Sequence, residues 1–174
     1  GVKFKAEDGN LGIKLIVTVT PNPILKKVRI DQDNVIIPQE FVDKTFGEYY
    51  GTTLNLNIFQ KRLGVIKEWY KERGYSLARI NGPERILDNG EVQLQIEEGL
   101  VSQIKIRFID ANEELRKRGK TKEWVIKREM KTLPGEVFNR VTLESDIKRL
   151  YATSLFNDVK AVSYTHLRAH ETVK

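Results

Sequence analysis

The stretch NIFQKRLGVIKEWYKERGYSLARI, residues 57–80, decides how the rest of the chain is read. Phe59, Leu63, Ile66 and Tyr70 stand at i, i+4, i+7 and i+11, one apolar stripe at helical spacing, while Lys61, Lys67, Glu68 and Lys71 face elsewhere. The spacing predicts a helix beginning near Asn57, with Asn57 and Gln60 fitting a capping box and Gly74 in the position of a left-handed cap. Two strands follow, Ser76–Ile80 and Glu91–Glu97, around the turn-rich Asn81-Gly82-Pro83 and Asp88-Asn89-Gly90. In the second strand Val92, Leu94 and Ile96 alternate with Glu91, Gln93, Gln95 and Glu97, so one face meets the helices and one meets water. Working backwards, a short strand is expected around Val28–Ile30 and a first helix from Pro38 to about Phe46. The order is β-α-α-β-β.

Outward from this unit the pattern recurs on both sides. Val2, Phe4 and Ala6 alternate with Lys3, Lys5 and Glu7, and Ile13, Leu15, Val17 and Val19 alternate with Lys14, Ile16, Thr18 and Thr20; joined by Asp8-Gly9-Asn10, they read as a β-hairpin. Pro21-Asn22-Pro23 stops the second strand, because proline cannot donate to a ladder. After Glu98-Gly99, Ile104, Ile106 and Phe108 alternate with Lys105 and Arg107. Trp124, Val125, Ile126 and Met130 then mark one helix, and Leu143, Ile147 and Leu150 a second. Gly51, Leu54 and Asn55 align with Gly135, Phe138 and Asn139 at one offset (139 − 55 = 84), which also carries Phe59 onto Leu143, Leu63 onto Ile147 and Ile66 onto Leu150. The second copy enters a strand at Asn157–Val162 and lacks a clear last strand.

Composition narrows the chemistry. The 174 residues contain no cysteine, which excludes a disulfide scaffold and cysteine-based zinc, iron–sulfur or thiol chemistry. With 40% hydrophobic residues the chain can form a core, and no apolar run approaches the ~20 residues needed to cross a bilayer as a helix. The formal charge of +6 is weak support for a nucleic-acid partner without a groove-reading motif or stacking pattern.

Two sets of residues resemble a known family. Phe138-Asn139, Leu143, Ile147-Lys148-Arg149-Leu150-Tyr151 and Leu155-Phe156-Asn157-Asp158-Val159, matched in the middle unit by Leu63, Ile66, Tyr70 and Lys71-Glu72-Arg73-Gly74-Tyr75, are similar to the second-helix-to-strand signature of POTRA domains. These are the polypeptide-transport-associated repeats in front of outer-membrane β-barrel insertases. Pro21-Asn22-Pro23-Ile24-Leu25, the run Lys120–Glu129, and Pro134-Gly135-Glu136-Val137-Phe138-Asn139 resemble cyanobacterial members and their chloroplast relatives in particular. Leu155 departs from the pattern, standing where many such repeats have glycine.

The resemblance implies an α+β fold of tandem β-α-α-β-β POTRA units, each a three-stranded mixed sheet covered on one face by two helices. It divides the chain into residues 1–22, the C-terminal hairpin of a preceding unit; 23–98, a complete unit; 99–162, a following unit without a clear last strand; and 163–174. Ser163–Thr172 does not read as a POTRA closing strand and is expected to be a non-native tail, and the missing initiator Met suits a part of a longer precursor.

Candidate reaction centres fall away one by one. His166 and His170 have metal-binding spacing on a helix but lie in the suspect tail with no third ligand type beside them, so no metal is expected. Gly119-Lys120-Thr121 imitates the end of a phosphate-binding loop, yet the earlier glycine would fall at Glu114. Arg116-Lys117-Arg118 with Lys120 and Lys122 reads as a solvated basic loop. Glu97-Glu98 and Glu113-Glu114 are not placed as an acid–base pair, and Ser76, Ser145 and Ser154 lack a nucleophile-elbow context. No catalytic residue and no cofactor is expected. Tyr49, Tyr50, Trp69 and Tyr75 are read as core aromatics before partner contacts.

What remains is backbone chemistry. The resemblance implies that the strand after the second helix lies at a sheet edge and accepts an extended segment by β-augmentation. The corresponding residues are Ser76, Leu77, Ala78, Arg79 and Ile80 in one unit and Asn157, Asp158, Val159 and Lys160 in the next, with Arg79 and Lys160 as charges that blunt an edge. Pro21 and Pro23 suit a stiff hinge, Glu98 and Gly99 a more adjustable one. The implied role is a non-catalytic module on the periplasmic face of an outer membrane, or in the equivalent plastid envelope compartment. It would receive unfolded outer-membrane or translocated polypeptides for a C-terminal membrane barrel absent from this chain. The alternatives are a scaffold that docks accessory proteins without touching clients and, less favoured, a basic nucleic-acid-binding α+β domain; no nucleic acid is expected as a partner.

Overall fold

In the computed structural model, which describes residues 2–9, 12–19, 21–30, 35–87, 89–110, 112 and 114–162, the opening alternation becomes an antiparallel hairpin. Its strands are β1 (Val2–Gly9) and β2 (Gly12–Val19), in register from Val2 opposite Val19 to Gly9 opposite Gly12. Asp8 and Gly9, read as part of the turn, belong to β1; Asn10 lies outside the described residues. So do residues 163–174, with the expected non-native tail and both histidines. The chain divides into two compact units, Gly1–Glu72 with Leu77–Gly99, and Arg73–Ser76 with Leu100–Lys174.

The first unit contains the β-α-α-β-β order. Strand β3 (Lys27–Ile30) leads to α1 (Gln39–Phe46) and, after a short 3-10 turn, to α2 (Leu56–Glu72); β4 (Arg79–Ile86) and β5 (Glu91–Glu97) close the unit. The sheet order is β3-β5-β4, with β3 parallel and β4 antiparallel to β5. Alternation in β5 decides what the sheet buries. Val92, Leu94 and Ile96 are buried together with Val28 and Ile80, and from the helices Val42, Phe46, Phe59, Leu63, Ile66 and Tyr70 complete the core. Ile66, Val92 and Leu94 are all 0% exposed, so truncating any of them to alanine removes packing worth about 2–5 kcal/mol. Phe46 and Phe59 pack at 4.8 Å between ring centroids, joining the two helices.

Three local readings are corrected. The cap of α2 is Asn55, not Asn57: Asn55 Oδ1 accepts the N–H groups of Asn57 and Ile58 at 3.0 and 3.2 Å, satisfying donors that the first helical turn cannot. Asn81-Gly82-Pro83 is no turn. It lies within β4, whose pairing with β5 slips between Asn81 and Arg85, and the Gly82–Pro83 peptide is cis. A proline is tolerated there because β4 is an edge strand and this is its bulge. Ile104 and Ile106 stand in no strand among the described residues; only Phe108–Ile109 (β6) pairs, antiparallel to Leu115–Arg116 (β7).

The second unit carries α3 (Glu123–Glu129) and α4 (Arg140–Ala152). Where a three-stranded sheet is expected, the described residues form the β6–β7 ribbon and an isolated bridge, Leu100 opposite Val137. Asp146 on α4 is 0% exposed and its two carboxylate oxygens accept the N–H groups of Lys131 and Thr132 at 2.9 and 2.8 Å. Arg149 pairs with Asp146 and donates through Nε to the Glu129 carbonyl at 2.9 Å, so side chains of α4 satisfy the backbone where α3 ends. Residues 73–76 are part of this unit: the Asn139 amide donates to the Arg73 carbonyl at 2.8 Å and the Arg140 N–H to the Gly74 carbonyl at 2.8 Å.

Candidate functional site

A three-stranded sheet has two edges, and here they differ chemically. Among the described residues β4 pairs with β5 alone, so the second row of its backbone N–H and C=O groups has no partner strand there. Of the residues expected to form this edge, Arg79 and Ile80 lie in β4, opposite Glu97 and Ile96. Ser76 and Leu77 form a turn and Ala78 precedes the strand. Strand pairing starts only where β5 supplies a partner, and the Ser76 N–H bonds back to Gly74 at 2.9 Å. Arg79 is exposed and Ile80 is 5% exposed, so Ile80 anchors the strand in the core while its neighbour faces solvent. The regular part of the edge is short, ending at the bulge after Asn81, and Pro83 has no N–H to offer.

The opposite edge, β3, is occupied by side chains. Gln39 Nε2 donates to the Val28 carbonyl at 2.8 Å, and Gln39 Oε1 accepts the Ile30 N–H at 3.4 Å. The Val28 N–H donates to the Tyr50 hydroxyl at 3.3 Å. Asp43 Oδ1 orients both partners, accepting from Gln39 Nε2 at 3.1 Å and from the Tyr50 hydroxyl at 3.0 Å. Burial pushes the Tyr50 phenol up to about 12 against the lowering effect of the Val28 N–H, with Asp43 adding to the rise, so Tyr50 remains a neutral donor at neutral pH. Nothing in the sequence pattern marks Gln39 or Asp43. Both are polar residues of α1 one turn apart, and only the packing of α1 beside β3 gives them a role.

The other expected sites are placed as follows. Asn157, Asp158, Val159 and Lys160 stand in no strand among the described residues. Instead the Tyr151 hydroxyl donates to Asp158 and accepts the Val159 N–H at 3.0 Å, and Lys160 pairs with Asp158 at 3.2 Å. The Tyr151 hydroxyl, then Lys160, hold the Asp158 carboxyl below its ordinary range. Pro21 is exposed; the Pro23 carbonyl accepts the Leu54 N–H at 2.9 Å and Asn22 donates to the Leu54 carbonyl at 2.9 Å. Glu98 is 9% exposed and bonded through its side chain, and Gly99 lies where a Cβ would come within 2.6 Å of Leu77 Cβ. Gly119 fits no phosphate cradle: a Cβ there would fall 2.3 Å from the Phe108 ring, so glycine serves close packing. Arg116, read as part of a basic loop, lies in β7 and pairs with Asp110 at 3.2 Å. Among the aromatics, Tyr49 is half-buried under Arg62, and Trp69 packs on Phe41 at 5.8 Å.

Comparison with known proteins agrees with this geometry. Residues 24–99 match the family model described as POTRA domain, ShlB-type, and residues 113–174 that described as surface antigen variable number repeat. The N-terminal domain of Omp85 from Thermosynechococcus elongatus is 36% identical with a TM-score of 0.79, over 92% of this chain and 67% of that one. The chain belongs to the POTRA domains of Omp85-type proteins. POTRA1-3 of the periplasmic domain of Omp85 from Anabaena is similar at 35% identity and a TM-score of 0.84, over 92% of this chain and 66% of that one. Outer envelope protein 80, chloroplastic, of Arabidopsis thaliana is 30% identical over 157 residues, which are 90% of this chain and 21% of that protein. The POTRA chain thus spans about a fifth of the curated relatives' length. Its α+β fold, with a mixed three-stranded sheet, is that of the cyanobacterial POTRA structures.

Proposed function

We propose that these POTRA units are a non-catalytic receiving module of an outer-membrane or envelope assembly protein, and that the first unit takes up extended polypeptide segments along β4. The observation that carries this reading is the sheet order β3-β5-β4, which makes β4 an edge strand, while the other edge, β3, is bonded by Gln39 and Tyr50. Main-chain hydrogen bonds would supply the affinity, tolerating many sequences. That suits clients whose shared property is alternating strand-forming segments, as in unfolded membrane barrels. The names of the relatives favour the periplasmic face of an outer membrane or the plastid outer envelope as the site of action.

A second reading has its own support. The bulge after Asn81 and the proline at 83 interrupt the edge, as natural proteins do where an edge is to be protected, and a protected edge fits a scaffold that docks accessory subunits. A photo-crosslinker replacing the exposed Arg79 in the full chain separates the two. Under the first reading it captures unfolded barrel precursors supplied in solution. Capture of a fixed partner and never of a precursor would reject client binding.

A further inference from the structure

We infer that Gln39 is the residue that determines which edge of the first unit's sheet accepts an incoming strand: its carboxamide fills the place of a neighbouring residue on β3, leaving β4 as the receiving edge for an extended polypeptide. The inference rests on the edge-binding reading above for the role of β4, and on the geometry of α1 for the closure of β3.

An incoming strand needs a row of free donors and acceptors on one side of the edge. On β3 three groups of that row, the Val28 N–H, the Val28 carbonyl and the Ile30 N–H, are engaged by side chains. Gln39 bridges the last two, donating to one and accepting from the other, as a single residue of a parallel neighbour would. A carboxamide suits this role because it carries a donor and an acceptor on one carbon, whereas a carboxylate offers acceptors only and a lysine donors only. Asp43 fixes the polarity of the clasp by accepting from Gln39 Nε2, which turns Oε1 toward Ile30. The same oxygen of Asp43 accepts the hydrogen bond of the Tyr50 hydroxyl, leaving the phenol oxygen to accept from Val28. An incoming chain would have to displace an intramolecular clasp at β3. At Arg79–Asn81 of β4 the corresponding outward groups face no strand among the described residues.

The test uses the full chain, Gln39→Leu and Tyr50→Phe, each checked for native circular dichroism. In the first arm, amide hydrogen exchange is followed at Val28 and Ile30. Gln39→Leu is expected to speed exchange at Ile30, and Tyr50→Phe at Val28, each by about tenfold, with core amides of β5 unchanged. In the second arm, a nitroxide-labelled peptide of about ten residues, alternating valine and threonine, is added and the broadening of amide resonances is mapped. The wild type is expected to show broadening at Arg79 and Ile80 and none at Val28 and Ile30; Gln39→Leu is expected to gain it at Val28 and Ile30. Equal broadening of both edges in the wild type, unchanged exchange at Ile30 in Gln39→Leu, or no gain at β3 in that variant overturns the inference. Absence of broadening at β4 in the wild type counts against client binding, and the comparison at β3 then decides the role of Gln39 by itself.

Discussion

The hydroxyl of Tyr70 donates a 2.6 Å hydrogen bond to Oε1 of Glu98, and the same oxygen accepts the Ile36 N–H at 2.6 Å. Tyr70 is 1% exposed and Glu98 9%, so a carboxylate at the end of β5 ties the last turn of α2 to the segment that enters α1. Glu98, which the sequence offers as part of a hinge, thus has its side chain bonded within the first unit by two directed donors.

Tyr70→Phe is expected to lower the stability of the first unit by about 1–3 kcal/mol, because the Glu98 oxygen loses a donor and stays buried. Glu98→Ala should cost more, since it strips the Tyr70 hydroxyl and the Ile36 N–H of their acceptor together, and Glu98→Gln less. Urea unfolding followed through β5 resonances reads the effect. A Tyr70→Phe variant as stable as the parent would show that the bond contributes nothing.

The helix caps recur with the repeat. Asn55 Oδ1 accepts from residues 57 and 58, and Asn139 Oδ1 from Val141 and Thr142 at 2.9 and 3.2 Å. Replacing either asparagine by alanine should cost about 1 kcal/mol, confined to its own unit. Asn139→Ala should cost the more of the two, because its amide also donates to the Arg73 carbonyl. Residue-resolved hydrogen exchange checks both the size and the confinement; equal losses in both units from one substitution would contradict it.

The repeat shows what kind of information a single chain carries legibly. The offset that aligns the apolar stripes also carries Thr53 onto Val137 and Thr52 onto Glu136 (137 − 53 = 84), and their partners recur at a shorter spacing (100 − 24 = 76): Ile24 bridges Thr53 as Leu100 bridges Val137, and Leu25 bonds to Thr52 as Val101 bonds to Glu136. Helical spacing and alternation fixed α2 and β5 because burial enforces those periods. Asn55 was missed as the cap because Asn57 sits equally well in a local pattern, and only the direction of the chain entering the helix distinguishes them. The strand through Gly82 and Pro83 was missed because local turn chemistry was outweighed by pairing with β5. At Asn157–Val162 the expected strand finds no partner among the described residues, and the Tyr151 hydroxyl takes the Val159 N–H instead. The clasp on β3 is tertiary throughout, joining Val28 to side chains 11 and 22 residues away, so no local pattern announces it.

Two glycines predict opposite outcomes. Gly64 lies exposed within α2, and a Cβ there would meet nothing within 4 Å, so Gly64→Ala should raise stability by about 0.5–1 kcal/mol through backbone entropy. Gly90, at φ +85°, sits where a Cβ would come within 2.1 Å of the Ile24 carbonyl oxygen while its own carbonyl accepts the Lys26 N–H at 2.8 Å. Gly90→Ala should lower stability by more than about 2 kcal/mol, since the backbone must move apart and the new side chain occupies the left-handed region. Thermal melting of the two variants beside the parent gives the signs; a shift in the same direction for both would refute the reading.

Asp146 makes the second unit sensitive to acid. Burial opposes its charge, but the N–H groups of Lys131 and Thr132 and the Arg149 guanidinium outweigh that and hold the carboxyl below its ordinary range. A carboxyl that is more acidic folded than unfolded binds fewer protons in the folded state, so stability rises with pH across that interval. Its contribution is complete above the unfolded value of about 3.9 and is lost as pH falls through the lower folded value. Asp146→Asn should flatten this dependence while leaving the first unit's acid response intact, and should cost about 1–3 kcal/mol near pH 7, where the charge-assisted bonds to Lys131, Thr132 and Arg149 are weakened. Urea midpoints followed at Thr132 and Leu150 between about pH 2 and pH 7 measure both quantities. Parallel pH curves for parent and variant would place the acid sensitivity elsewhere.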